Sequence, residues 1–287
     1  MTTNDNTIKY LIKLSIPIFL ELILQVLLGN IDKIMVRNDA SANAITQANT
    51  IIDLLTVSIS VLSAGSLILI NQYKGAKDKK SEDRIYSLAF FFNIFLSLIL
   101  GIVLLVFSPY IFKLMNVSRE YFDEALIYTR ICGTTLFLQG IILTLSSFLR
   151  SNTLIMQGFI TSVTINVINV ILNAIFLYVV KLPPIVAVAI ATIISRVIGS
   201  IILIILIFKL TDITLSLKKS FSDFKELNKL LKISLPSAGE SFSYSLSQIV
   251  ILSIINIIGL RLTSAAPTAK TYVNIMVQFS FIYTSSI

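Results

Sequence analysis

The sequence predicts an all-α integral membrane protein built as two parallel six-helix repeats, of which only the first lobe and about two helices of the second are present. Three observations carry this. Of 287 residues, 55% are apolar and 13% charged, at a mean hydropathy of +0.89; a soluble domain carries about 25% charged residues to cover its water-facing surface. Apolar runs long enough to cross a bilayer, about 20 residues each, occur seven times, and an eighth is under way where the sequence ends. Finally, Lys13-Leu14-Ser15-Ile16-Pro17 followed by Glu21 recurs as Lys232-Ile233-Ser234-Leu235-Pro236 followed by Glu240.

The spans fall at 14–36, 50–73, 85–108, 126–149, 157–180, 185–208, 233–258 and 272–287. The first starts behind Lys9 and Lys13 like a signal peptide. Glu21 and Asp32 interrupt it, however, and Ala42-Asn43-Ala44 lies too far past the apolar run to be a cleavage site. The second and third spans flank a basic turn with five Lys and Arg in 74–84. The fourth contains Gly133 and Gly140, which predict close helix packing. The fifth carries Asn166, Asn169 and Asn173, and the sixth encloses Arg196. Six basic residues in 209–232 mark an interlobe loop, so residues 1–208 form the first lobe and 233–287 start the second. With an N-terminus in the cytoplasm, fourteen Lys and Arg fall on the cytoplasmic side and seven on the other, which fixes the expected orientation.

Six helices separate the two copies of the Pro motif, an even number, so both enter the membrane in the same direction. That is a parallel repeat, as in many secondary transporters. After the helix, Ala42, Ala44, Ala48 and Asp53 correspond to Thr263, Ala265, Ala269 and Asn274. A repeat of this length predicts a parent of twelve helices and a chain that is truncated C-terminally.

Composition also excludes chemistry. There is no His and one cysteine, Cys132, so a His-dependent triad, a His or paired-Cys zinc site and an intrachain disulfide all fall away. The basic residues sit between apolar runs, a topology pattern that argues against nucleic acid. No P-loop is present, and no nucleophile–base pattern marks an enzyme.

Acids inside spans cost about 2.5–3.5 kcal/mol at a helix centre, so they should face a cavity or a partner. Gln25 and Asp32 lie about 40° and 20° from Glu21 around a helix, forming one polar stripe. Tyr244 and Ser247 stand in the same relation to Glu240. Glu21, Gln25, Glu240 and Tyr244 are therefore candidate substrate-cavity residues. Asn166, Asn169 and Asn173 share a face whose amide oxygens suit either cation ligation or interhelical bonds.

These residues resemble the multidrug and toxic compound extrusion (MATE) family. The resemblance runs through Pro17, Glu21, Gln25 and Ile31-Asp32-Lys33-Ile34-Met35-Val36. It continues in Gln72-Tyr73-Lys74-Gly75-Ala76-Lys77-Asp78, in Arg150, and in Asn169-Val170-Ile171-Leu172-Asn173-Ala174-Ile175-Phe176. It implies two six-helix lobes around a cavity that opens alternately to either side, in a multi-pass protein of the bacterial cytoplasmic membrane. Carried over, Asp32 is the cation-responsive carboxylate with Asn169 and Asn173 beside it, Na+ or H+ is the coupling ion, and small organic cations are exported. No cofactor or resident metal is implied beyond sodium at Asp32, and the full-length protein is expected to be a monomer. Asn173 stands where many members have Asp, and Ala174 replaces Pro; an amide does not titrate near neutral pH, which disfavours a two-carboxylate proton relay. A lipid-linked oligosaccharide flippase of the same exporter group, or a nonfunctional truncated fragment, is the alternative.

Overall fold

Three of the described helices start where a short polar side chain accepts a bond from the free N–H groups of the first turn. Asn38 Oδ1 accepts from Ala40 N at 3.0 Å, Asp78 Oδ1 from Ser81 N at 3.1 Å and Ser118 Oγ from Glu120 N at 3.4 Å. The computed structural model describes residue 23 and residues 30–217, 224–261, 266–271, 273–274 and 276–277; the side chains of 224, 237, 238, 240 and 261 lie outside that description. The described end of the first helix is α1 (30–35). It is followed by α2 (Asp39–Gly75), α3 (Lys79–Leu114), α4 (Arg119–Thr134), α5 (Leu136–Ser151) and α6 (Ile155–Ala174), which runs on as a π-helical turn, Ile175–Val179. Then come α7 (Pro184–Leu210), α8 (Phe224–Arg261) and a helical segment α9 beginning at 266. Among the described residues there is no strand.

Among the described residues five helices are long and apolar enough to cross a membrane, and the pair α4–α5, bent by 51°, counts as a sixth when taken as one span. Their outer faces carry large exposed apolar side chains, such as Phe95, Ile99 and Ile102 on α3 and Ile201, Ile205 and Phe208 on α7, the surface that lipid covers. The chain is therefore a multi-pass membrane protein. The expected spans at 14–36 and 272–287 lie largely outside the described residues.

The structure differs from the expected spans most at three helices. α2 starts at Asp39 rather than near 50, because its first turns bury Ser41, Asn43, Thr46 and Gln47 against helices instead of leaving them in a loop. The expected single span 126–149 is two helices that break at Thr135. α8 starts at Phe224, inside the stretch read as the interlobe loop, so Pro236 sits within a helix instead of at its first turn.

Two apolar clusters stack along the bundle. One gathers Ile45, Ile52, Leu104, Phe112 and Tyr128 toward the start of α2; the other gathers Ile70, Tyr86, Phe148 and Leu203 toward its end. Between them, Asn93 Nδ2 donates to Ser63 Oγ at 3.0 Å and to Thr144 Oγ1 at 2.9 Å, tying α2, α3 and α5. Gly101 and Gly133 bring α3 and α4 into backbone contact, since a Cβ on Gly101 would lie 2.7 Å from Gly133 O. Gly140 packs as closely on Ser97, so both glycines read as packing positions are such positions.

The Gln72–Asp78 segment forms a knot at the basic face. Lys74 Nζ donates to Ser151 O at 2.8 Å and Asn152 Oδ1 at 2.7 Å, and Asn152 Nδ2 donates to Tyr86 OH at 2.9 Å. The Ser81 hydroxyl and N–H hold the Asp78 carboxyl below the usual carboxylate range. α8 runs antiparallel along all of α2. Near the basic face, Tyr73 OH donates to Glu226 Oε2 at 2.7 Å, and Lys229 Nζ donates to Tyr73 OH at 3.0 Å and Glu226 Oε1 at 2.8 Å. At the far end, Gln47 and Asn256 exchange bonds of 2.8 and 3.2 Å, and Asn43 bonds Thr268 and Thr271.

Candidate site at the head of the N-lobe cavity

Asp32 comes from the last described turns of α1, held there by the turn that follows. Arg37 takes a positive φ of 54°, its guanidinium lies 5.5 Å from the centre of the Tyr178 ring, and Tyr178 OH donates to Met35 O at 2.8 Å. The end of α1 is thereby pinned to the π-helical turn that follows Asn173, a type of backbone often found at functional sites. Asp32 is 9% exposed, and Asn173 Nδ2 donates to its Oδ1 at 2.5 Å. Asn173 Nδ2 also reaches Asn169 Oδ1 at 3.3 Å, Asn169 Nδ2 reaches Thr192 Oγ1 at 3.4 Å, and Thr192 donates to Val188 O. Three helices thus meet in one polar row: α1, α6 and α7.

Asn173 is fully buried, and its Oδ1 takes no hydrogen bond among the described residues. A buried carboxamide oxygen without a donor is costly unless something positive fills the place. Lys33 does not, because its ammonium turns to Asn30 Oδ1 at 3.1 Å. The positive charges whose field reaches both Asp32 and Asp53 are Lys33 and Arg196. A buried carboxylate and an unused amide oxygen on adjacent residues are oxygen ligands of the kind that bind a hard cation.

Below this row opens a cavity of about 530 Å³. Asp32, Asp53, Asn166, Asn169, Thr192 and Arg196 all line it, and Arg150 closes its basic-face end. A second cavity of about 160 Å³ lies between α2, α8 and α9, lined by Asp53, Tyr244, Gln248, Lys270 and Asn274. Asp53 and Asn274, matched by the repeat register, therefore face one another's space. Among the described residues Asp53 is the one that both cavities share.

The structure brings Asp32, Asn169 and Asn173 together as the resemblance implied. It places Tyr244 on the smaller cavity, away from Asp32. Glu21 and Gln25 lie outside the described residues, as does the Glu240 side chain. Arg130 is exposed on α4 and does not line the cavity, whereas Arg196 does. Tyr128 and Thr192 also belong to the cavity wall, and sequence reading did not single them out. Thr192 is one hydroxyl in the apolar run 184–194, where nothing periodic marks it; the nearby Ser195 and Arg196, three and four residues on, are the signal that this face is polar.

Comparison with known proteins agrees with this architecture. The family model described as MatE matches residues 17–179. Over 283 residues the chain is 31% identical to an uncharacterized transporter, YisQ, of Bacillus subtilis (strain 168), covering 96% of this chain and 61% of that protein. It superposes with a TM-score of 0.82 on an inward-facing multidrug resistance MATE family transporter of the MOP superfamily, at 19% identity, over 90% of this chain and 59% of that one. An outward-facing structure of such a transporter gives 0.80 at 20% identity, over 96% and 61%. The chain spans about three-fifths of the length of these relatives. The helical architecture and the family model converge: the chain belongs to the MatE family.

Proposed function

We propose that this chain carries the coupling-cation site and the N-lobe solute cavity of a cation-driven antiporter, which exports small organic-cation compounds across the bacterial cytoplasmic membrane by alternating access. The observation that carries this reading is the buried Asp32 carboxylate beside Asn173 Oδ1, which has no hydrogen-bond partner among the described residues. A cation bound there neutralises the carboxylate, satisfies the amide oxygen and changes the charge at the meeting of three helices. Sodium suits this set better than a proton relay, since Asn173 is an amide and does not titrate.

The driving force is adequate without ATP. One charge moving down 100 mV releases about 2.3 kcal/mol, which sustains a roughly 50-fold gradient of exported solute. A cavity of about 530 Å³ lies in the range of pockets that take small organic molecules, which supports the reading of small-solute export.

The test is ethidium efflux from cells expressing the chain and its Asp32→Asn variant, with sodium and pH gradients imposed separately. The expected result is efflux that follows the sodium gradient and is lost in Asp32→Asn at equal protein level. Efflux that follows neither gradient, or that survives Asp32→Asn unchanged, overturns cation-coupled export at this site.

A further inference from the structure

Arg196 is a charge that the coupling site leaves unused. It projects half-buried from α7 into the cavity that Asp32 and Asp53 line. Its Nη1 donates to Cys132 O at 3.4 Å and Thr135 Oγ1 at 3.3 Å, at the break between α4 and α5. A guanidinium has five N–H donors in a planar fork. The Nε and Nη2 donors take no partner among the described residues, and no ion pair joins Arg196 to Asp32 or Asp53 there. One edge of the fork is therefore anchored, loosely, and the other edge is open to the cavity.

The rest of the wall points the same way. Arg150 lines the cavity as well, so its two acids face two arginines and the described wall has no net negative charge. Recognition of a lipophilic cation relies on aromatic faces, and here Tyr128 is the one aromatic lining residue described. Hydroxyl and carboxamide side chains make up about half of the lining residues, among them Ser60, Ser146, Gln139 and Asn166. These groups hydrogen-bond a hydrophilic body.

We infer that Arg196 is a solute-binding residue for an oxyanion: the compound admitted to this cavity is a hydrophilic molecule bearing a carboxylate or phosphoryl group, gripped by the open edge of the guanidinium fork. Bidentate pairing with an oxyanion is what that geometry does best, and a lysine does not reproduce it. The inference rests on the transport reading for the direction of movement, and it adds an acidic group to the cation-bearing solute proposed above. Anchoring by Cys132 O and Thr135 keeps the fork in place while the solute occupies the donors facing away from them.

The experiment uses the chain purified in lipid nanodiscs and a matched dye pair, rhodamine 110 with a free carboxylate and rhodamine 123, its methyl ester. Fluorescence titration is expected to show the acid binding at least about tenfold more tightly than the ester. Arg196→Gln should erase that preference by weakening rhodamine 110 alone, and Arg196→Lys should restore only part of it. Competition by benzoate against phenyl phosphate tells a carboxylate from a phosphoryl preference. Equal binding of acid and ester, binding of neither, or equal weakening of both dyes by Arg196→Gln overturns the proposal; the last outcome would make Arg196 a support for the α4–α5 break. The acid–ester comparison on the parent chain stands even if the Arg196 variants fail to fold. Radioactive sodium binding in the same nanodiscs, with and without Asp32→Asn, reads the coupling site separately. Loss of sodium dependence with the dye preference intact would sink the antiport reading and leave this one standing.

Discussion

A carboxamide at 173, rather than a carboxylate, decides how the charge beside Asp32 responds to its surroundings. As Asn, it donates to Asp32 and keeps an oxygen in reserve. Replaced by Asp, it would put two acids within hydrogen-bond distance, and like charges that close do not both ionise, so the pair would retain a proton near neutrality. Sodium binding to Asn173→Asp should therefore fall at least about fivefold more steeply between pH 8 and pH 6 than in the parent chain, measured with radioactive sodium on purified protein. Asn173→Ala leaves a buried carboxylate short of a donor and should cost about 1.5–3 kcal/mol in thermal unfolding. The Asp32–Asn169–Asn173 row was legible because residues four apart share a helix face and because polar groups inside apolar spans stand out. Arg196 was legible as a charge in a span, yet which way it faced depends on the helix break at Thr135, a tertiary feature with no local signature.

At the scale of elements, hydropathy located the helices but misjudged where they start. The first turns of α2 read as a polar loop, since Ser41, Asn43, Thr46 and Gln47 interrupt the apolar pattern. The partners of Asn43, Thr46 and Gln47, namely Asn256, Thr268 and Thr271, lie more than two hundred residues away, and no window along the chain sees them. The break between α4 and α5 was hidden for the converse reason: two short helices in line give the hydropathy of one. Glycine contacts between elements yield a sharp comparison. Gly101→Leu drives a side chain into the Gly133 backbone and should lower stability by about 1–3 kcal/mol or more, whereas Gly75→Ala meets nothing within 4 Å and should leave unfolding nearly unchanged. The Lys74 knot invites the same measurement. Lys74→Met removes two charge-assisted bonds between α2 and the α5–α6 turn and should cost about 1.5–3 kcal/mol.

Across the whole molecule, the Tyr73–Glu226–Lys229 contact ties α2 to α8 at the basic face. Its hydrogen bond to Glu226, with that to Tyr73, raises the Lys229 pKa above the usual lysine value. A raised lysine contributes fully below its unfolded pKa, about 10.4, and loses that contribution only as pH rises beyond it. Between pH 6 and 9 the tie should therefore hold, with salt rather than alkali loosening it. Glu226→Gln is expected to open this face: a cysteine placed at Ser234, buried in the parent, should react with a polar maleimide at least about fivefold faster, and unchanged labelling would show that the tie does not hold the lobes. Cys132 is buried, so the native thiol adds little background. A cysteine at Lys80 in the same chain tests orientation, since positive-inside topology puts it on the cytoplasmic side.

The antiparallel pairing of α2 with α8 makes these two helices a lever with a catch at either end. From Gln47 to Tyr73 is about 39 Å of helix, most of the thickness of a bilayer with its headgroups. Each catch is a handful of side-chain bonds worth about 1 kcal/mol apiece, so releasing one costs somewhat more than the roughly 2.3 kcal/mol carried by a single ion crossing 100 mV. With one catch released, the other becomes the fulcrum. A swing of a few degrees about it would open the free end while the fulcrum end stayed sealed, the motion that the alternating access proposed above requires.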